Sequence, residues 1–216
     1  MHALKAACTG CSLRLGGGLC RVVLGAEGPE ATWWVDPIGA QSVQACAPVP
    51  EINAVLCATS NYGGTSSIPT EPEGHVFLWD CAEERVTEID EPIPGTRSYG
   101  SPVRANTGIV YMTANTPEGM RYIAWDPVER ELLHAGELPG TRFHFPNMHE
   151  IPVGDAGLIV GLIDDAIFAI DPADHSTRVL ARHPSLATAQ GFMVDSTGTL
   201  YYGSEGELWR CDLQLD

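Results

Sequence analysis

A chain of 216 residues with 44% hydrophobic side chains is long and apolar enough to bury a core, yet no run in it approaches the roughly 18 to 20 apolar residues of a membrane span. Its 28 acidic against 12 basic side chains leave a formal charge of -16, a field that repels phosphate backbones and anionic lipid. Nucleic acid and membrane surfaces are therefore not expected partners.

Seven cysteines, an odd number, with no Asn-x-Ser/Thr sequon, point away from a secreted disulfide scaffold and towards a cytoplasmic setting. The start, Met1 to Cys20, is broken by Lys5, Arg14 and glycines and does not read as a signal peptide.

In chain order, the sequence predicts short strands punctuated by Gly, Pro and Asp turns. A first unit has Ala3 to Leu15 as its inner strand, Thr32 to Val35 as its third and Ser42 to Ala45 as its outermost. The second has Glu51 to Asn53 ahead of the strand Ala54 to Thr59, then a loop from Ser60 to Gly74 rich in Gly, Ser, Thr and Pro, then His75 to Trp79. Ala82 to Ile89 has the composition of a short helix, but its register matches outer strands, so a strand is expected. The third unit reads as Ser98 to Ala105, Ile109 to Thr113, Arg121 to Trp125 and Glu131 to Ala135. The fourth reads as His149 to Val153, Leu158 to Ile163, Ala166 to Ile170 and Thr177 to Arg182, and the last, Thr188 to Asp212, stops after three strands.

A repeat organises these segments. Pro94-Gly95-Thr96-Arg97 recurs as Pro139-Gly140-Thr141-Arg142, and prolines at 50, 94, 139 and 184 are spaced by 44, 45 and 45. Aspartates closing apolar runs at Asp36, Asp80, Asp126, Asp171 and Asp212 keep the same register. A period of this length marks one supersecondary unit laid down about five times, with approximate units 1–50, 51–94, 95–139, 140–184 and 185–216 in a single domain. The third strands are apolar on both alternations, as strands covered on both faces are. The expected fold is all-β, a β-propeller of about five four-stranded blades of ~45 residues. With a strand lacking in the last unit, the ring is expected to be incomplete or open, and its exposed edge to invite self-association.

Trp79-Asp80, Trp125-Asp126, Gly198-Thr199-Leu200-Tyr201 and Glu207-Leu208-Trp209 resemble β-propeller repeats of the broad WD40-like, kelch-like and quinoprotein-like kind. The Gly-His start of Trp-Asp repeats and the kelch double glycine are absent. Glu27-Gly28-Pro29 followed by Trp34-Val35-Asp36 is similar to the opening of gluconolactonase-like propellers. That resemblance implies a catalytic divalent metal with Glu27 as first ligand, although the later Asn and Asp ligands are not found in context.

Several residues carry candidate chemistry. Asp36-Pro37, Asp126-Pro127 and Asp171-Pro172 read as turn chemistry, the carboxylate accepting from amides two residues on. Cys8-Thr9-Gly10-Cys11 has knuckle spacing but lacks a second ligand pair. His144, His149 and Glu150 cluster where a loop enters an inner strand, the place of a propeller's channel mouth, and are candidates for a divalent metal, while Tyr99, His144 and His149 are candidates for catalysis. Arg97 and Arg142 hold equivalent positions in the repeat, as do Tyr99 and His144. Two guanidiniums beside a phenol and an imidazole suit a carboxylate or phosphate ligand. Nucleophile-elbow, phosphate-loop, zinc-protease and dinucleotide motifs are absent. The expectation is a scaffold binding a protein partner or a small anionic or carbohydrate ligand at its loops. The alternative is a carbohydrate-active lyase or hydrolase acting on acidic sugars.

Overall fold

The computed structural model describes residues 2–5, 17–39, 41–62, 71–141, 143–153 and 157–213, with backbone alone at 2–5 and 143–147. Its strands are β1 (His2–Lys5), β2 (Gly18–Gly25), β3 (Gly28–Val35), β4 (Ser42–Val49), β5 (Ala54–Ser60), β6 (Val76–Asp80), β7 (Arg85–Asp90), β8 (Ser98–Arg104) and β9 (Val110–Thr116). They continue as β10 (Gly119–Asp126), β11 (Glu131–Glu137), β12 (Phe143–Ile151), β13 (Leu158–Ile163), β14 (Ala166–Ile170), β15 (Thr177–Arg182), β16 (Gln190–Val194), β17 (Leu200–Ser204) and β18 (Glu207–Cys211). The only helical pieces among the described residues are two 3-10 turns, Pro50–Ile52 and Pro184–Thr188. No helix there is long and apolar enough to cross a membrane.

The strand pairs with an assigned register among the described residues are all antiparallel, most of them joined by tight turns. Asp80 and Asp171 make turns of the expected kind. The Asp80 carboxylate accepts from the amides of Ala82 (2.8 Å) and Glu83 (2.9 Å), which holds its pKa below the usual carboxylate range, and Asp171 accepts from Ala173 at 2.9 Å. Between β17 and β18, Glu205 and Gly206 both take positive φ, 52° and 84°, the backbone of a two-residue hairpin whose twist matches its strands.

The meanders fall into the order β1-β2-β3, β4-β5-β6-β7, β8-β9-β10-β11, β12-β13-β14-β15 and β16-β17-β18. Among the described residues, one bridge, Ser60 with Ser98, joins the second and third. Two expectations are corrected here. The segment from Ser42 is not the outermost strand of the first meander: β4 pairs along its length with β5 and opens the second, because the 3-10 turn at Pro50–Ile52 folds it directly back. Likewise β3 and β18 are not covered on both faces. Each is the outer strand of a three-stranded sheet, with Val35 and Leu208 both 78% exposed. Ala82 to Ile89 resolves into a turn followed by β7, as register required.

The chain packs as two compact units. In the first, Met1–Pro102 with Ala114–Gly119 and Pro127–Arg130, the core gathers Leu19, Val43, Val55, Cys57, Phe77 and Trp79, with Trp34 against Trp79 at a ring separation of 5.0 Å. In the second, Val103–Thr113, Met120–Asp126 and Glu131–Asp216, strands β13 and β14 are buried throughout. Ile159, Ile163, Phe168 and Ile170 face a core with Tyr111 and Tyr122, while Val160, Leu162, Ile167 and Ala169 face another with Phe192, Leu200 and Tyr202. A period of two with both phases apolar is thus one sheet serving two cores.

Phe168→Ala, which empties a fully buried site, is expected to lower the unfolding free energy by about 3 to 5 kcal/mol, and Val179→Ala on the outer strand β15 by no more than about 0.5 kcal/mol. Urea titration of both variants checks the contrast.

Candidate functional site

The first copy of the repeated tetrapeptide connects β7 to β8 within the first unit. Gly95, at φ 78°, donates its amide to Glu73 Oε2 at 2.6 Å, and a Cβ there would stand 2.9 Å from Pro117 Cγ. The backbone of the next two residues is fastened from several sides. Thr96 O accepts from Gly74 N (2.8 Å), Arg97 N donates to Asn115 O (2.9 Å), and Arg97 O accepts from Asn61 N (3.0 Å). Gly74 is required by that closeness, since a Cβ would lie 2.8 Å from the carbonyl oxygens of both Arg97 and Thr59.

A buried polar network carries this loop. Thr59 Oγ1 donates to Gln41 Oε1 (2.9 Å) and Gln41 Nε2 donates to Glu73 O (2.8 Å), while Asn61 Nδ2 donates to the carbonyls of Glu71 (3.2 Å) and Pro72 (2.9 Å). These bonds set Glu73 so that its carboxylate meets the loop. Tyr99 is wholly buried, and its hydroxyl accepts from Ile93 N (2.9 Å) and donates to Ile93 O (3.1 Å). These two bonds to Ile93 anchor the loop entry, and burial pushes the phenol's pKa up.

With the backbone so held, the side chain of Arg97 is exposed, and among the described residues it reaches no carboxylate. Other arginines do. Arg21 pairs with Glu84, Arg130 with Asp90 and Glu88 (both 2.5 Å), Arg182 with Asp165 (2.5 Å) and Arg210 with Asp212 (2.9 Å).

In the second unit the other copy is held by the same kind of contact. Asp164 Oδ2 accepts from Thr141 N (3.0 Å), Oδ1 accepts from Thr141 Oγ1 (3.2 Å), and a Cβ at Gly140 would overlap that carboxylate. Arg142 lies outside the described residues, and so does the side chain of His144, whose backbone runs in β12.

His149 and Glu150 occupy successive positions of β12 and so face opposite ways. His149 Nε2 donates to Phe192 O at 2.8 Å, and Glu150 Oε1 accepts from Asn106 N at 2.6 Å. The two side chains do not converge, and among the described residues no three His, Cys, Asp or Glu side chains are grouped to hold a metal. Glu27, the ligand implied by a gluconolactonase-like opening, sits exposed in the two-residue turn between β2 and β3. His149 and Glu150 thus do not share one site, and Glu27 belongs to a different hairpin, that of β2 with β3.

One constellation in the second unit had no sequence signal. Tyr111 Oη lies 2.8 Å from His175 Nδ1, Tyr122 Oη donates to His175 O, and His134 stacks on both Tyr122 (5.6 Å between rings) and His175 (5.0 Å). Burial raises the pKa of both phenols. Burial also lowers that of His175, helped by the neighbouring His134 and opposed by Asp174.

Solved structures with the same arrangement of strands include the Dos1 propeller, at 12% identity and a TM-score of 0.61, matching 93% of this chain and 54% of that one. The chain folds as a β-propeller. A protein of unknown function from Desulfotomaculum acetoxidans DSM 771 matches 94% of this chain and 62% of its own, at 12% identity and a TM-score of 0.60. A gluconolactonase-family protein matches 92% of this chain and 71% of its own, at 15% identity and a TM-score of 0.57. The chain thus spans between about half and two thirds of the first two of these structures. No protein-family model matches it, and neither does any curated protein sequence.

His175 generates a pH dependence of known sign. Its folded pKa lies below the unfolded value of about 6.5, so the unfolded chain binds the extra proton first and stability is lost as pH falls from about 6.5 through the folded pKa. Thermal melts of wild type and His175→Gln between pH 7.5 and 5 should show a steeper acid-side fall in the wild type; parallel curves would contradict this.

Proposed function

We propose that this propeller is a scaffold that binds a small anionic ligand, a carboxylate or phosphate, through Arg97, with Arg142 as the equivalent donor of the second repeat copy. The observation that carries the reading is the Arg97 loop, whose backbone is fixed by its own hydrogen bonds and by Glu73 while the guanidinium remains without a carboxylate among the described residues. In a chain of charge -16 such a guanidinium is ready for an incoming anion. A cytoplasmic setting, and a protein partner presenting a carboxylate in place of a free ligand, belong to the same reading.

The gluconolactonase-family neighbour favours a second reading, an enzyme acting on acidic sugars. There the Tyr99 phenol, occupied by Ile93, would leave proton transfer to His144. That reading requires unsaturated or hydrolysed product to accumulate from uronate polymers, and His144→Ala to cost turnover more than affinity.

Calorimetric titration of galacturonate and of inorganic phosphate into wild type, Arg97→Ala and Arg97→Lys tests the first reading. A charge-assisted bond of about 1.5 to 3 kcal/mol implies a loss of roughly 10- to 150-fold in Arg97→Ala, and lysine should restore only part of it because an ammonium lacks the planar fork. Titrations that do not differ between the three proteins would remove the site.

A further inference from the structure

The first unit holds a second reactive feature, independent of the Arg97 loop. Cys46 on β4 and Cys57 on β5 stand directly opposite each other in the antiparallel ladder, with their Sγ atoms 3.3 Å apart. Residues opposed in this way have Cα atoms about 4.5 to 5.5 Å apart, within the span of about 4.4 to 6.8 Å that a disulfide bridges. No strand need move to join them.

The two thiols are unlike. Cys57 has no exposed surface and packs among Val55, Phe77 and Trp79, whereas Cys46 is half-buried at the margin of the same core. Burial pushes the Cys57 thiol well up, with Cys46 and Cys81 adding to the effect. Reactivity towards an external disulfide follows access and thiolate character, so the order of events is set: Cys46 attacks first and Cys57 resolves.

We propose that Cys46 and Cys57 are a reversible dithiol–disulfide pair that exchanges with low-molecular-weight disulfides. The Cys46 thiolate attacks one sulfur of the small disulfide, forming a mixed disulfide and expelling one small thiolate. Cys57 gives its proton to that thiolate and attacks the Cys46 sulfur, which expels the second. The protein loses two protons and two electrons, and the small disulfide is reduced to two thiols. The resulting bond staples β4 to β5 across the 3-10 turn Pro50–Ile52. Thr59, which supports the Arg97 loop through Gln41, lies two residues beyond Cys57 on the same strand.

Cys81 is the competing partner, since it packs in the same core and is half-buried. The test is exposure of the folded chain to oxidised glutathione, followed by alkylation and peptide mass mapping. The expected product is a Cys46–Cys57 linked peptide, lighter by two hydrogens and reversed by dithiothreitol, in wild type and in Cys81→Ser. Cys57→Ser should stop at glutathione on Cys46, and Cys46→Ser should give neither product in the same time. Three results would overturn the pairing: glutathione persisting on Cys46 in wild type, a bond between Cys57 and Cys81, or no reaction at Cys46. The wild-type map decides without any variant having to fold.

Discussion

A carboxylate accepting from a loop amide holds each described copy of the repeated Pro-Gly-Thr sequence, Glu73 on Gly95 and Asp164 on Thr141. In a fold with central strands such as β13 and β14 buried throughout, the connecting loops must satisfy their own backbone groups, and a fixed anion at a loop amide does this in little space. The glycine is demanded by the same contact: at Gly140 a side chain would occupy the place of the Asp164 carboxylate, and at Gly95 it would meet Pro117. The repeat therefore copies a way of closing a loop, and the arginine that follows is not part of the closure in the copy whose side chain is described.

That separation of roles bears on function. Tyr99, Glu73, Gln41, Thr59 and Asn61 are committed to positioning, each through bonds to backbone or to one another. Arg97 draws on none of them for its guanidinium. Likeness to other propellers at 12 to 15% identity conveys the fold and leaves the ligand to the chain's own chemistry.

Much of the fold was legible because its strongest signal is periodic. Strands β6, β10 and β14 were found from apolar residues on both alternations, and the aspartate turns from their register. Pairing of β4 was not, because alternation tells which face a residue takes and not which neighbour the strand joins; the 3-10 turn at Pro50 decides that. For the site, the loop and Arg97 were visible as a repeat. The anchoring role of Tyr99 was not, since both of its partners are backbone atoms of Ile93. Nor was the cluster around His175 visible, because it joins residues as far apart as Tyr111 and His175 with no shared register.

The central claim is that Glu73 builds the loop and Arg97 is spare, and unfolding free energies of Arg97→Ala and Glu73→Ala in urea test it without knowledge of any ligand. The expected result is a change within about 0.5 kcal/mol for Arg97→Ala and a loss of about 1 to 3 kcal/mol for Glu73→Ala, which strands the Gly95 amide. An equal loss in both variants would make the guanidinium part of the scaffold and contradict the claim.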